Sequence, residues 1–263
     1  MSEIASSSNE KFKTWKTLLT SKGIREQGQF LVSGEKLIRE LRRDLALQTQ
    51  LEIAAELTST KLQKENPSQD HHRTFTLTPN LLRELDESNT GGNLLVVNTP
   101  PLKSWEEAQV QAQKDIVLLC PLGDPSNLGA LLRSAEAFGV THVVLLRESA
   151  SAFLPKAVKA SSGSAWRMQF YTGPGIQELS GLILPAIPFV ALDQNGETLH
   201  DWNPISSGFL LVGEEGPGLP KKLPAHTQRL RIPTERVESL NATVAISLLL
   251  YKILESRISQ SGK

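Results

Sequence analysis

From residue 115 onward the chain carries a series of short apolar runs: IVLLC at 116–120, HVVLL at 142–146, PFVAL at 188–192, GFLLVG at 208–213 and RLRIP at 229–233. Turn-and-helix stretches separate them, and a long helical pattern over about 240–258 closes the chain. Strands that are apolar almost throughout cannot leave one face in water. Alternating with helical segments, they demand a parallel sheet covered on both sides, an α/β fold. Sheets of this kind bind ligands in the loops beyond the carboxyl ends of their strands, so chemistry is expected there.

The N-terminal part has a different texture. Residues 11–43 read as helix, turn, short strand and helix, with Leu37, Ile38 and Leu41 at helical spacing. Short strands are expected near Leu51–Ala54 and Leu94–Val97, on either side of the polar stretch KENPSQDHHRT. These elements make a small α/β domain over 1–98. The proline-bearing stretch TPPLKSWEEAQ opens a linker over 99–113, and the parallel-sheet domain occupies 114–263.

Lys plus Arg and Asp plus Glu each total 28, so net charge gives no pull toward nucleic acid or a membrane surface. Locally the balance shifts. Residues 9–43 hold nine basic side chains (Lys11, Lys13, Lys16, Lys22, Arg25, Lys36, Arg39, Arg42 and Arg43) against four acids. That excess suits either a phosphate-facing surface or a solvated helical face. The single cysteine, Cys120, ends an apolar strand, which excludes a disulfide framework and fits a buried thiol in a reducing compartment. The polar start MSEIASSSNE has no leader-like core, and apolar stretches such as Ile246–Leu250 fall far short of the roughly 20 residues of a membrane span. The expected location is cytoplasmic. No His or Cys cluster has ligand spacing, so no metal is expected, and His71, His72, His142, His200 and His226 receive no role.

Three loops carry the chemistry. In PLGDPSNLGALLRSAEAFGV, Asn127 reads as the N-cap of a helix that Gly139 stops; Leu128, Leu131, Leu132, Ala135 and Phe138 form its buried stripe. Arg133 lies on the other side beside Ala130 and Ala137, small neighbours that let a second chain or a phosphate approach the guanidinium. In LLVGEEGPGLP, Gly213, Gly216 and Gly218 surround Glu214 and Glu215; this is a ligand-approach loop or a tight turn. In LRIPTERVESLNATVAISLLLYK, Ser239 or Asn241 caps the last helix or rims a pocket. No GxxxxGK[ST] phosphate loop occurs, and the missing GxGxxG turn and missing acidic residue after the second strand argue against a nicotinamide dehydrogenase.

In order, these loops resemble the SpoU (TrmH-like) branch of the SPOUT RNA ribose methyltransferases. That family's first motif, Asn-x-Gly-x-x-x-Arg-x-Ala-x-x-Phe-Gly, is complete here as Asn127, Gly129, Arg133, Ala135, Phe138 and Gly139. Gly213, Glu215, Gly218 and Leu219 match its second, and Ile232, Pro233, Ser239, Leu240, Asn241 and Ala245 its third. KASSGSAW from Lys159 resembles a further family segment, and FLVSGEKLIREL resembles the small α/β/α recognition domain that often precedes the catalytic one. Thr234 stands where methionine is common, and Ala242 and Thr243 replace Val-Ser, positions read as carrying no obligatory polar group.

The resemblance implies a deep trefoil knot in the C-terminal domain, a homodimer, S-adenosyl-L-methionine as cofactor, and methyl transfer to a ribose 2′-hydroxyl. The RNA is expected to be ribosomal; transfer RNA, or a non-catalytic RNA-binding protein of the same fold, are the alternatives. It assigns the cofactor to Leu211, Val212, Gly213, Glu215, Gly218, Leu230, Ile232, Pro233, Ser239 and Leu240. Catalysis falls to Asn127, Arg133, Glu215, Ser239 and Asn241, with Arg133 positioning the target phosphate rather than acting as a free base, because a guanidinium is too basic. RNA contacts are assigned to Lys36, Arg39, Lys159 and Arg167.

Overall fold

The computed structural model describes residues 3–46, 51–65, 73–181, 187–213 and 218–261. They form two compact units, Met1–Pro100 with Ser151–Trp166, and Pro101–Ala150 with Arg167–Lys263.

In the first unit α1 (Glu10–Thr17) starts where the Asn9 side chain accepts from the backbone N–H groups of Lys11 and Phe12. Next come α2 (Ser21–Gln27), β1 (Gln29–Ser33), α3 (Glu35–Leu45), β2 (Ile53–Thr58), α4 (Thr60–Glu65), β3 (Thr74–Thr76), α5 (Pro79–Leu85) and β4 (Leu94–Asn98). The sheet order is β1-β4-β2-β3. The strand expected at Leu51–Ala54 lies further on, as β2. Leu94, Leu95, Val96 and Val97 are all fully buried, so alternate residues of β4 pack on opposite faces of the sheet. Phe12 and Trp15 of α1, Leu18 just after it, and Leu81, Leu82 and Leu85 of α5 cover the face of Leu94 and Val96.

The basic stretch of this unit is largely paired. Lys13 meets Glu10, Lys16 meets Glu84, and Arg42 meets the buried Glu56 at 2.9 Å. Lys36 and Arg39, assigned to RNA, stand 4.0 Å from Glu40 and Glu35 respectively and keep most of their side chains in solvent. These four are helical i,i+4 partners, so this part of the excess fits a solvated face.

The second unit holds α6 (Trp105–Ala112), β5 (Ile116–Cys120), α7 (Pro125–Ala137), β6 (His142–Leu145), β7 (Gln169–Thr172), β8 (Phe189–Thr198), β9 (Gly208–Leu211), β10 (Gln228–Arg231) and α10 (Ala242–Ser261). Between β6 and β7 run α8 (Pro155–Ser161) and α9 (Ser164–Arg167). The sheet order is β10-β8-β9-β5-β6-β7, and every strand pair is parallel. Val117 and Leu119 of β5 pack with Ala108 and Ala112 of α6; Ile116, Leu118 and Cys120 between them are also fully buried. Both faces are therefore covered, as strands without polar alternation require. Among the described residues no helix is long and apolar enough to cross a membrane.

Two readings of the chain's organisation need correction. The linker is partly folded: Ser104 and Glu107 form a reciprocal capping box at the start of α6, which packs into the second unit's core. The stretch Ser151–Trp166, read as part of the C-terminal domain, clusters with the N-terminal residues. Within that unit the Trp166 indole N–H donates to Asp44 at 3.0 Å, and Phe153 packs on Phe30 with ring centroids 4.9 Å apart.

Candidate functional site

The carboxyl ends of β9 and β10 and a bulge within β8 meet the first turns of α7 and α10 around one cavity of about 910 Å³. That volume lies within the roughly 300–1,000 Å³ of small-molecule sites.

From the first loop comes Asn127. It is not the N-cap of α7. Asp124 is, its carboxylate accepting from the Asn127 backbone N–H at 2.8 Å, with Pro125 in the first helical position. Asn127 thus sits in the first turn and lines the cavity. The far end of α7 is as expected: Gly139, at φ +77°, lets its own N–H reach Glu136 and that of Val140 reach Ala135, closing the last carbonyls.

From the second loop come Val212, Gly213, Gly218 and Leu219. A Cβ on Gly213 would stand 3.0 Å from the Gly218 carbonyl carbon, and Gly218 itself has φ +72°. At these two positions glycine lets the backbones of Gly213 and Gly218 come close together at the cavity wall. Glu214, Glu215 and Gly216 lie outside the described residues.

From the third loop come Leu230, Ile232, Pro233, Ser239, Leu240 and Asn241. Asn241 is the residue that starts α10, its side-chain oxygen accepting from the N–H groups of Thr243 and Val244 at 2.9 and 3.3 Å. The Thr243 hydroxyl donates to the Asn127 carbonyl at 3.1 Å, joining the two helix starts. Sequence reasoning passed over this threonine, which is 8% exposed.

A fourth wall was missed altogether. β10 pairs Gln228 and Arg229 with Val190 and Ala191 of β8, then jumps to pair Leu230 and Arg231 with Glu197 and Thr198. Residues 192–196 bulge out of register, and Leu192, Asp193, Gln194 and Asn195 line the cavity. The Asp193 carboxylate accepts from the Asn195 N–H at 2.9 Å and from the Arg229 guanidinium. Gly196 closes the bulge, because a Cβ there would lie 2.4 Å from the Arg229 carbonyl carbon. Asp-Gln-Asn-Gly directly after an apolar strand is a turn signal at a ligand-binding strand end, and it could have been read.

Several sequence-assigned residues stand elsewhere. Leu211 is buried in β9 and does not line the cavity. Arg133 is exposed on α7 and is absent from the cavity lining; among the described residues its guanidinium has no hydrogen bond or ion pair. Six residues beyond Asn127, it is about 9 Å further along the helix and about 120° round it. Arg167 forms a two-pronged pair with Glu136 at 2.6 and 2.9 Å, which occupies the fork assigned to RNA. Lys159 is exposed and donates to the Ser88 carbonyl at 3.4 Å.

The lining fits S-adenosylmethionine. Val212, Leu230, Ile232 and Leu240 offer apolar surface to an adenine, backbone is laid open at the glycines, and Asn, Ser and carboxylate groups suit a diol and an ammonium. The family model described as "SpoU rRNA Methylase family" matches residues 114–251, just over half of the chain. The chain belongs to this family.

Its relatives extend the likeness beyond the family domain. "Ribosomal RNA small subunit methyltransferase G 2" of Syntrophobacter fumaroxidans is 36% identical over 249 residues, 95% of this chain but 48% of that protein. The chain therefore spans about half the length of this relative. The Bacillus subtilis "23S rRNA (guanosine(2553)-2'-O)-methyltransferase RlmP" is 28% identical over 96% of this chain and 99% of its own length. Among solved structures, the SpoU methyltransferase AviRb from Streptomyces viridochromogenes, in complex with AdoMet, matches with TM-score 0.75 at 25% identity, covering 95% of this chain and 99% of that one.

Proposed function

We propose that this protein transfers the methyl group of S-adenosylmethionine to a ribose 2′-hydroxyl of RNA, and that the RNA is ribosomal. One observation carries the reading: Asn127, Gly213 with Gly218, and Ile232 with Ser239 to Asn241 come from three separated loops and line one cavity. Family membership supplies the reaction class. The relative matched along nearly its whole length carries a large-subunit ribosomal RNA activity in its name, which supports the ribosomal target.

When bound, the cofactor supplies a methyl carbon already activated by a sulfonium, so the protein's work is alignment and charge. In-line transfer needs the attacking oxygen about 3 Å from that carbon. Asn127, Ser239 and the side-chain amide of Asn241 orient the ribose and the cofactor's polar end. Arg133 grips the target phosphate and stabilises the alkoxide that develops on the hydroxyl.

Because Arg133 does not line the cavity of its own chain, it serves the cavity of a second copy. Val244, Leu248, Tyr251 and Ile258 of α10 are 49%, 42%, 52% and 63% exposed and recur at helical spacing, an apolar stripe suited to a homodimer. A deep trefoil knot around the third loop completes the proposed fold. The location is cytoplasmic.

The test is Arg133→Ala. Calorimetry should give a cofactor affinity within about twofold of wild type, while methyl transfer to ribosomal RNA falls by about 10²–10³-fold or more. Transfer retained by the purified variant would overturn the role.

A further inference from the structure

Of the charged side chains on the cavity wall, Asp193 and Arg229 neutralise each other, and their partnership belongs to the bulge of β8. Lys221 and Arg231 are different. Both line the cavity, both are exposed, and among the described residues neither has a hydrogen bond or an ion pair. Arg231 ends β10 and lines the cavity together with Arg229 and the fully buried Leu230. Lys221 comes from the loop after β9. Two cations from separate segments thus line one cavity without a partner among the described residues, with Glu238 as the remaining exposed carboxylate of the described lining.

We infer that Lys221 and Arg231 form a phosphate seat for the RNA strand that enters the cavity. An unpaired guanidinium presents a planar fork that matches phosphate oxygens, and an ammonium adds a point charge that tolerates small displacements. Val212 and Leu230 on the same cavity are buried, whereas Lys221 and Arg231 are exposed, as contact with a polymer backbone requires. The seat rests on the proposed RNA methyltransferase activity and adds to it how the target strand is registered.

The test compares wild type, the charge-removing double variant K221Q/R231Q and the charge-keeping variant K221R/R231K. Two quantities are measured for each: S-adenosylmethionine affinity by calorimetry, and affinity for in vitro transcribed large-subunit ribosomal RNA at several salt concentrations. Two lost phosphate contacts should make the slope of log affinity against log salt shallower by about 1.4 in the double variant. RNA should bind about tenfold more weakly near physiological salt, with cofactor affinity within about twofold of wild type. The charge-keeping variant should restore the wild-type slope. Equal slopes for wild type and K221Q/R231Q would overturn the seat. So would a loss confined to cofactor binding, which would give the two cations to the cofactor's carboxylate instead. Failure of the wild-type protein to bind the cofactor would count against the enzyme reading alone, since the salt slopes still report on the seat.

Discussion

Thr243 shows how much one hydroxyl can hold at this site. Its bond to the Asn127 carbonyl spans 116 residues of chain and joins the first turns of α7 and α10, both of which line the cavity. Thr243→Val keeps the shape and removes this one hydrogen bond, at a cost of about 0.5–1.5 kcal/mol. Denaturant unfolding should show that loss, and Thr243→Ser should recover most of it; equal stability of all three proteins would refute the role. The sequence identifies a polar residue near the helix start but not its distant partner, which is why the position read as dispensable. Asn127 was misread for a nearer reason. Asp124-Pro125 is a better helix opening, an acidic cap followed by proline, and it stands three residues earlier. The glycines were legible as types, while the particular backbone that Gly213 must admit was not.

At the scale of elements, apolar runs located β5, β6, β8 and β9, and the mixed run RLRIP located β10. β7 escaped because QFYT mixes Gln and Thr with its aromatics, as an edge strand can. The bulge of β8 escaped because its residues are polar and follow a strand that already seemed complete as PFVAL. β6 and β7 also carry a pH-sensitive contact. His142 opens β6 with its ring nitrogen 3.0 Å from the Tyr171 hydroxyl. Burial holds its pKa below the ordinary 6.5, with Asp115 opposing that shift and Lys103 adding to it. The folded state therefore binds fewer protons than the unfolded one in the window below pH 6.5. Stability from this group is present above that pH and is lost as pH falls through the folded pKa. The melting temperature should drop between about pH 7 and 5, and less steeply in His142→Gln. Identical pH profiles for the two proteins would show that His142 contributes nothing.

For the whole molecule, the proposed homodimer is what brings Arg133 to a cavity. Replacing Leu248 and Tyr251 of the exposed α10 stripe with glutamate should shift sedimentation to a monomer, abolish methyl transfer and leave cofactor binding within about threefold, because the cavity lies within one chain. A monomeric variant with full activity would exclude a shared site. The central claim is that this cavity directs a methyl group to a sugar hydroxyl of RNA, and the most direct measurement follows the label. Ribosomal RNA is incubated with the protein and cofactor carrying a radioactive methyl group, then digested with alkali, which needs a free 2′-hydroxyl to cut the backbone. The account predicts label in alkali-resistant dinucleotides. Label released entirely as mononucleotides, the signature of a methylated base, or no label at all, would contradict it.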